Sequence, residues 1–555
     1  MNAILLRASA VALLLAPPCV APVDAAVRRT RLSAEGQVWS DVSWFQQTPD
    51  GERVLYLHDA VTDEANELWV VRRDGTGRIR LSYPLPSGRS VDQFEATPDG
   101  RHVVFIAAQD STKKELWRVP IEGPASNAQL LGPSPAAGDV DVRTFWLSAQ
   151  GRIVYWAGDG TFERFWSVPE AGPADAAVEI SPPLPPGATF QYVGGADLSP
   201  DATRLVWTGA VGNSTGARGA VWSVPVEGPG TQAVRLTPEQ SASNDLEFGF
   251  EISPDSSRVV YRADLDAAGR NEVWSVPIDG PGDSPERLCP VPVLGGDVSK
   301  IGFSADGSTV LFYGDVATDT RNEIWSVPID GPWQDSIKLN PPPTPGGDVV
   351  FDLATTSAGG QNRVLFRGDL EVDGRIDLWS AHADGPEGSA LSISGSVVAA
   401  GTGVELFRIA DAQRVVFQGD LSRAGQDWLY SRALDGSGSR TTLTDLTAFP
   451  DALVQAPQVA PDGRFVAYEY VSSPGAAKIL RRVPVAGGAV ETLTPQVWPV
   501  FTSLDSFRVA ADSRGVFFLA DTSFDGALAL WVADEWIFSA NFEEGDESEW
   551  SSATL

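Results

Sequence analysis

Six aspartates, Asp59, Asp264, Asp315, Asp369, Asp420 and Asp521, each stand ten residues ahead of one slot, filled by Trp69, Trp274, Trp325, Trp379, Tyr430 and Trp531. Asp110 and Asp159 stand seven ahead of Trp117 and Trp166. Two chemistries suit carboxylates repeated in this way. An Asp in a loop accepts backbone N–H groups of its own turn, whereas a set of hard carboxylate oxygens holds a cation such as Ca²⁺. The best match to the second is D-L-E-V-D-G-R-I-D-L-W-S, from Asp369 to Ser380, which places Asp369, Glu371 and Asp373 at loop positions one, three and five and Gly374 at six. Ser380 occupies the twelfth position, where a Ca²⁺ loop of the helix–loop–helix type needs a bidentate Glu. Those three acids are the metal candidates. No cofactor is expected, and Ca²⁺ is the alternative.

Signatures of catalysis are sparse. His58, His102 and His382 are the only histidines, they occupy different places in the chain's repeats, and none has a nucleophile beside it. G-N-S-T-G at 212–216 fits a nucleophile elbow on paper, but that motif needs a strand before it and a helix after it, whereas here it reads as a hairpin tip. Glycine-rich phosphate loops and Cys/His zinc spacings are missing from the sequence. The expectation is a non-enzyme; the alternative is a lyase or hydrolase whose acid and base are two carboxylates with separated pKa values.

The elements that must position these residues follow from a repeat. N-E-V-W-S-V-P-I-D-G-P at Asn271 returns as N-E-I-W-S-V-P-I-D-G-P at Asn322. The same Trp slot recurs at Trp69, Trp117, Trp166, Trp222, Trp274, Trp325, Trp379, Tyr430, Arg481 and Trp531, at spacings of 48 to 56 residues. A period near fifty indicates an array or a propeller. The copy around Trp274 reads F-G-F-E-I-S, turn P-D-S-S, R-V-V-Y-R-A, a loop, E-V-W-S-V-P-I, turn D-G-P-G, then E-R-L-C. Alternating apolar and polar residues rich in Val, Ile, Tyr and Trp make these segments strands, and Pro-Asp and Asp-Gly make the turns. Four antiparallel strands form one blade, so the fold class is an all-β propeller of about ten four-stranded blades over 27–538. The six aspartates then fall in the loops between second and third strands. These share a rim with the blade-to-blade connections, where G-G-D-V recurs at Asp297 and Asp348 and G-D-V at Asp139.

The first turn of each repeat, T-P-D-G-E-R at Thr48, T-P-D-G-R at Thr97, S-P-D-A-T-R at Ser199, S-P-D-S-S-R at Ser253 and A-P-D-G-R at Ala460, resembles the PD40 (WD40-like) repeat of TolB-like β-propellers. The resemblance covers nearly all of 28–538. It implies the propeller and says little about activity, because such propellers serve many tasks. TolB also carries an N-terminal α/β domain, and here repeats begin at once, so the chain is not expected to be TolB itself. Arg after this turn, at Arg53, Arg101, Arg152, Arg204, Arg258, Arg414 and Arg464, is expected to pair with the turn Asp or a neighbouring blade.

V-R-R-T-R-L-S from Val27 matches the fourth strand of a repeat without the first three, and the last repeat, around Trp531, has no R-L-T segment after it. Arg31, Leu32 and Ser33 are therefore expected to complete the last blade and close the ring. The competitor is Trp536-Ile537-Phe538. Ten blades exceed the usual four to eight. With no linker between repeats, one wide ring is expected; two tandem rings are the alternative.

Composition sets the setting. The chain has 555 residues, 41 Lys and Arg against 73 Asp and Glu, and a net charge of −32, which repels nucleic acid and suits a cationic partner, a metal ion or plain solubility. Residues 1–25 read as a cleaved secretory signal peptide, too short to span a bilayer, so a secreted or periplasmic location is expected and no transmembrane segment. Cys19 leaves with it, and Cys289 in R-L-C-P takes a Ser/Thr slot as a packed residue. The acidic C-terminal tail, 539–555, contains F-E-E-G-D-E-S-E-W-S, similar to an ending of secreted Gram-negative proteins. The resulting functional expectation is an exported, non-catalytic scaffold that binds a protein or small-molecule ligand on an acidic rim. The alternatives are a propeller enzyme and a structural surface component.

Overall fold

In the computed structural model the described residues are 27–34, 40–109, 112–133, 140–159, 163–183, 189–213, 216–238, 246–358, 361–395, 401–447, 449–494, 503–521 and 527–535. The expected signal peptide, Asp110, Asp139, Ser214, Thr215, the competitor segment 536–538 and the tail lie outside them.

Ten four-stranded antiparallel sheets form, one per repeat. Blades 1 to 9 cover 42–80, 91–132, 141–179, 189–235, 246–287, 298–338, 349–392, 404–442 and 453–492, and blade 10 joins 503–535 to 27–31. Blade 5 illustrates the unit, with strand A Leu246–Ile252, B Arg258–Ala263, C Glu272–Pro277 and D Glu286–Arg287. Within it Tyr261 lies opposite Trp274, which lies opposite Arg287. That register turns alternate side chains of B and C onto the faces that meet neighbouring blades. Trp274 accordingly packs in one cluster with Val206, Val221 and Leu236 of blade 4. Truncating such a side chain to Ala costs roughly 3–5 kcal/mol.

Apolar clusters of this kind bridge all ten interfaces, including Val260, Val273 and Leu288 of blade 5 with Val310 and Phe312 of blade 6. Packing across the middle of the chain is continuous, so the ten blades make one ring and the two-ring alternative is excluded.

The ring closes as the N-terminal match implied. Val27–Arg31 pairs antiparallel with Leu528–Glu535, Arg31 opposite Trp531, and the Leu32 N–H donates to the Leu530 carbonyl at 2.8 Å. Ser33 Oγ accepts from the Leu530 N–H at 3.1 Å. Leu32 is fully buried with Leu530 and Val532 of blade 10 and Tyr56 and Val71 of blade 1.

The repeated first turn has a local cause. Ser253 Oγ donates to Asp255 Oδ1 at 2.6 Å and accepts the Arg258 N–H at 2.9 Å, while Asp255 Oδ1 accepts the Ser257 N–H at 3.0 Å. Thr48 with Asp50, Thr97 with Asp99, Ser199 with Asp201 and Ser304 with Asp306 repeat the hydroxyl–carboxylate bond. The Arg that follows behaves differently from expectation in several blades. Arg152, Arg204 and Arg258 donate through Nε to Ser167, Ser223 and Ser275 of their own blade at 2.8, 2.8 and 2.7 Å. These are the buried Ser residues directly after the slot Trp, so one pair of residues ties strand B to strand C. Arg53 does reach the next blade, at Glu122, and Arg464 reaches its turn Asp462.

Candidate functional site: the rim of loops and connections

Five of the six repeated aspartates sit in the loops between strands B and C and Asp521 ends strand B; Asp59, Asp315, Asp369 and Asp420 stitch loop to connection. Two carboxylates act in series between blades 5 and 6. Asp297, in the connection, accepts the Asn271 N–H from blade 5 at 2.7 Å, and its own N–H donates to Asp315 Oδ1 of blade 6 at 2.7 Å. Asp315 Oδ2 accepts the Thr320 N–H of its own loop at 3.0 Å. The same relay runs from Asn322 to Asp348 at 2.7 Å, from Asp348 to Asp369 at 2.6 Å, and from Gly374 to Asp369 at 2.9 Å. At the seam, Leu528 of blade 10 donates to Asp41 at 2.6 Å, and Asp41 donates to Asp59 at 2.5 Å. Asp420 accepts three N–H groups, from Thr402, Gly403 and Gly425, at 3.0, 2.8 and 3.0 Å. Asp264 accepts the Gly269 N–H at 2.7 Å.

Asp264, Asp369, Asp420 and Asp521 are buried; Asp59 and Asp315 are half-buried. Burial opposes ionisation of Asp420, but the N–H groups of Gly425, Thr402 and Gly403 outweigh it and hold the carboxyl below its ordinary range. Asp59 moves the other way, raised by burial and then by the Asp41 charge despite the N–H it accepts. The glycines of G-G-D-V are required here: a Cβ at Gly296 would stand 2.2 Å from the Asp315 carbonyl oxygen, and one at Gly347 2.6 Å from that of Asp369.

The segment from Asp369 holds its acids apart. Asp369 spends both oxygens on N–H groups, Glu371 pairs with Arg375 at 3.3 Å, and Asp373 is exposed beside Gly346. Among the described residues no group of three His, Cys, Asp or Glu side chains is arranged to hold a metal ion.

Sequence reasoning missed a second row of acids just beneath the rim. Glu67, Glu272, Glu323 and Asp377, two residues before the slot Trp, are buried at the start of strand C. Arg80, Lys338 and Arg375 answer Glu67, Glu323 and Asp377 at 3.3, 3.5 and 2.8 Å. Glu272 is pushed up to about 7 by burial, partly offset by the Asp266 N–H. The repeated E-x-W was the available signal. In blade 8, burial and then the neighbouring Glu405 raise Asp427, and Gln418 Nε2 donates to Glu405 at 3.1 Å.

What the rim exposes differs from what it buries. Leu294 is 86% exposed, Phe449 53%, Val61 51% and Val372 46%, in connections and loops of blades 5–6, 8–9, 1 and 7. Between them stand the exposed Asp63, Asp266, Asp319, Glu371 and Asp373.

His58 is buried, its ring nitrogen 3.2 Å from Ser40 Oγ, and burial followed by the Arg31 and Arg78 charges lowers it to about 4. His102 lies against Arg118 and Glu170. Asn213 pairs with Gly216 across a hairpin, so the elbow-like string has a hairpin's context. Among the described residues no helix is long and apolar enough to cross a membrane.

Among solved structures, the chain resembles a dipeptidyl peptidase 4 from Porphyromonas gingivalis at 11% identity and a TM-score of 0.46, over 86% of this chain and 64% of that one. A prolyl endopeptidase aligns at 13% identity and a TM-score of 0.36, over 69% and 54% respectively. A putative TolB from Agrobacterium tumefaciens aligns at 16% and 0.27, over 45% and 82%. The chain thus spans between about half and two thirds of the length of the two peptidases. The sequence matches no protein-family profile and no curated protein.

Proposed function

We propose that this chain is an exported, non-catalytic scaffold that binds a protein partner through the rim of B–C loops and blade connections. The supporting observation is a division of labour. Buried and half-buried carboxylates fix loops and connections through main-chain N–H groups, Gln426 Nε2 holds the Phe449 carbonyl at 2.7 Å, and these segments present Leu294, Phe449, Val61 and Val372 among exposed acids. A preorganised, partly apolar surface loses little conformational entropy on binding, and apolar anchors ringed by charge suit a partner with basic and apolar residues. The six aspartates serve recognition by holding this surface. Export rests on the leader read at 1–25. Full-length protein carrying Leu294→Glu and Phe449→Glu together should keep its melting temperature and lose the partner captured by wild type. Retained capture would reject the rim.

A second reading, hydrolysis or elimination, is favoured by one observation only, the adjoining carboxyls of Asp427 and Glu405. It requires Asp427→Asn to abolish turnover of a substrate that the wild type consumes.

A further inference from the structure

Four successive blade interfaces share a cross-blade bond, and the interface before them lacks it. The strand-B residue opposite the position preceding the slot aromatic reaches into the next blade's first strand. Arg262 Nη1 donates to the Val298 carbonyl at 3.1 Å, Tyr313 Oη to Val349 at 2.9 Å, Arg367 Nη1 to Val404 at 3.0 Å and Gln418 Nε2 to Val454 at 3.1 Å. In blade 4 this position is Thr208, opposite Val221. Its hydroxyl is too short to cross. Thr208 is 1% exposed, and its Oγ1 has no hydrogen-bond partner.

A cavity of about 360 Å³ occupies the space between blades 4 and 5, lined by Thr208 with Gly195, Asp197, Gly249, Phe250 and Glu251 among others. Strand A is the inner strand of each blade, so this opening faces the central channel. Thr208 lies opposite Gly195, and a Cβ at Gly195 would meet nothing within 4 Å, so the wall is open where a side chain is absent. Asp197 and Glu251 are exposed at the cavity. Wall atoms crowd Glu251 enough to raise it, and the Asp197 charge raises it further, so the two carboxylates feel one another. A Cβ at Gly249 would come within 3.4 Å of Arg262 Nη2, but that guanidinium is already engaged on Val298.

We propose that the cavity between blades 4 and 5 binds a guanidinium group from outside the chain, seated between Asp197 and Glu251 and hydrogen-bonded to Thr208 Oγ1. The protein supplies the template: at two of the following four interfaces the corresponding cross-blade donor is a guanidinium, and Arg367 is also held by Asp352 at 3.1 Å. An unpartnered buried hydroxyl is costly, and a ligand donor relieves it. Two carboxylates around a planar cation give charge-assisted bonds. The guanidinium belongs either to a free small molecule or to an arginine side chain of a peptide. This site is on the channel wall, separate from the rim.

Calorimetric titration of the full chain with agmatine, with an acetylated and amidated Ala-Ala-Arg-Ala-Ala peptide and with citrulline amide tests the assignment. One saturable site for at least one guanidinium probe, and none for citrulline amide, is expected. Tighter agmatine binding identifies a small-molecule site, and tighter peptide binding an arginine-reading one. Asp197→Asn with Glu251→Gln, both at exposed positions, should weaken binding on the order of tenfold or more. Thr208→Arg should abolish it by filling the cavity from within. Silence of both guanidinium probes, equal binding of citrulline amide, or unchanged affinity in the double variant would overturn the proposal.

Discussion

The main-chain N–H of Asp348 donates to Asp369 Oδ1 at 2.6 Å, joining the connection into blade 7 to that blade's own B–C loop. The bond shows why an acid recurs ten residues before the Trp slot. A buried loop end needs an acceptor for N–H groups that no strand can satisfy, and a short carboxylate provides two oxygens.

Asp420 is the sharpest test of that role. Its folded carboxyl lies below the ordinary range, so its stabilisation is present above the unfolded value and is lost as pH falls through the depressed one. Asp420→Ala leaves the Thr402, Gly403 and Gly425 N–H groups without their acceptor and should cost about 2–4 kcal/mol at neutral pH. The difference from wild type in urea unfolding should shrink in acid. Equal stability at pH 7 would remove the structural role.

The seam should matter more than its length implies. Deleting 27–33 exposes the edge of Leu528–Glu535 and uncovers the cluster around Leu32, so lower thermal stability and concentration-dependent association are expected. Leu32→Ala alone should cost about 2–4 kcal/mol. A deletion variant as stable as wild type would mean that other residues complete blade 10.

Cys289 should be inert. Its Sγ accepts the Val273 N–H at 3.1 Å, the place that Ser82, Ser181 and Thr444 hydroxyls take in sister blades. Burial pushes the thiol up to about 12. Thiol titration of a chain beginning at residue 26 should read none in the native protein and one after unfolding; rapid native labelling would contradict this packing.

Glu272 gives the opposite pH signature to Asp420. Its carboxyl is raised from the ordinary range to about 7, so its stability is full below the ordinary value and is lost as pH rises through 7. Glu272→Gln should therefore be near neutral at pH 5 and stabilising by about 2–3 kcal/mol at pH 8. A pH-independent effect would show that Glu272 ionises freely in the folded state.

The blades were legible because the Trp slot, the hydroxyl-Pro-Asp turn and the period are all local, and local chemistry writes itself into sequence. The N-terminal strand was legible as well, since R-L-S repeats a pattern whose Ser accepts an N–H in other blades. The Arg–Ser pairs were not, although W-S recurs, because the partner of an Arg depends on strand register. Burial of Asp264, Asp369, Asp420 and Asp521 was hidden for a similar reason: the residues that cover them come from neighbouring connections. The gap at Thr208 needed the four following interfaces side by side, since a missing bond leaves no residue to notice.

Photo-crosslinking tests the rim most directly. A benzoylphenylalanine placed at Leu294 or Phe449 should trap a discrete partner, while the same group at Val490, 43% exposed in a C–D turn on the opposite rim, should not. Equal trapping from both rims, or trapping from Val490 alone, would contradict recognition through the loops that the aspartates hold.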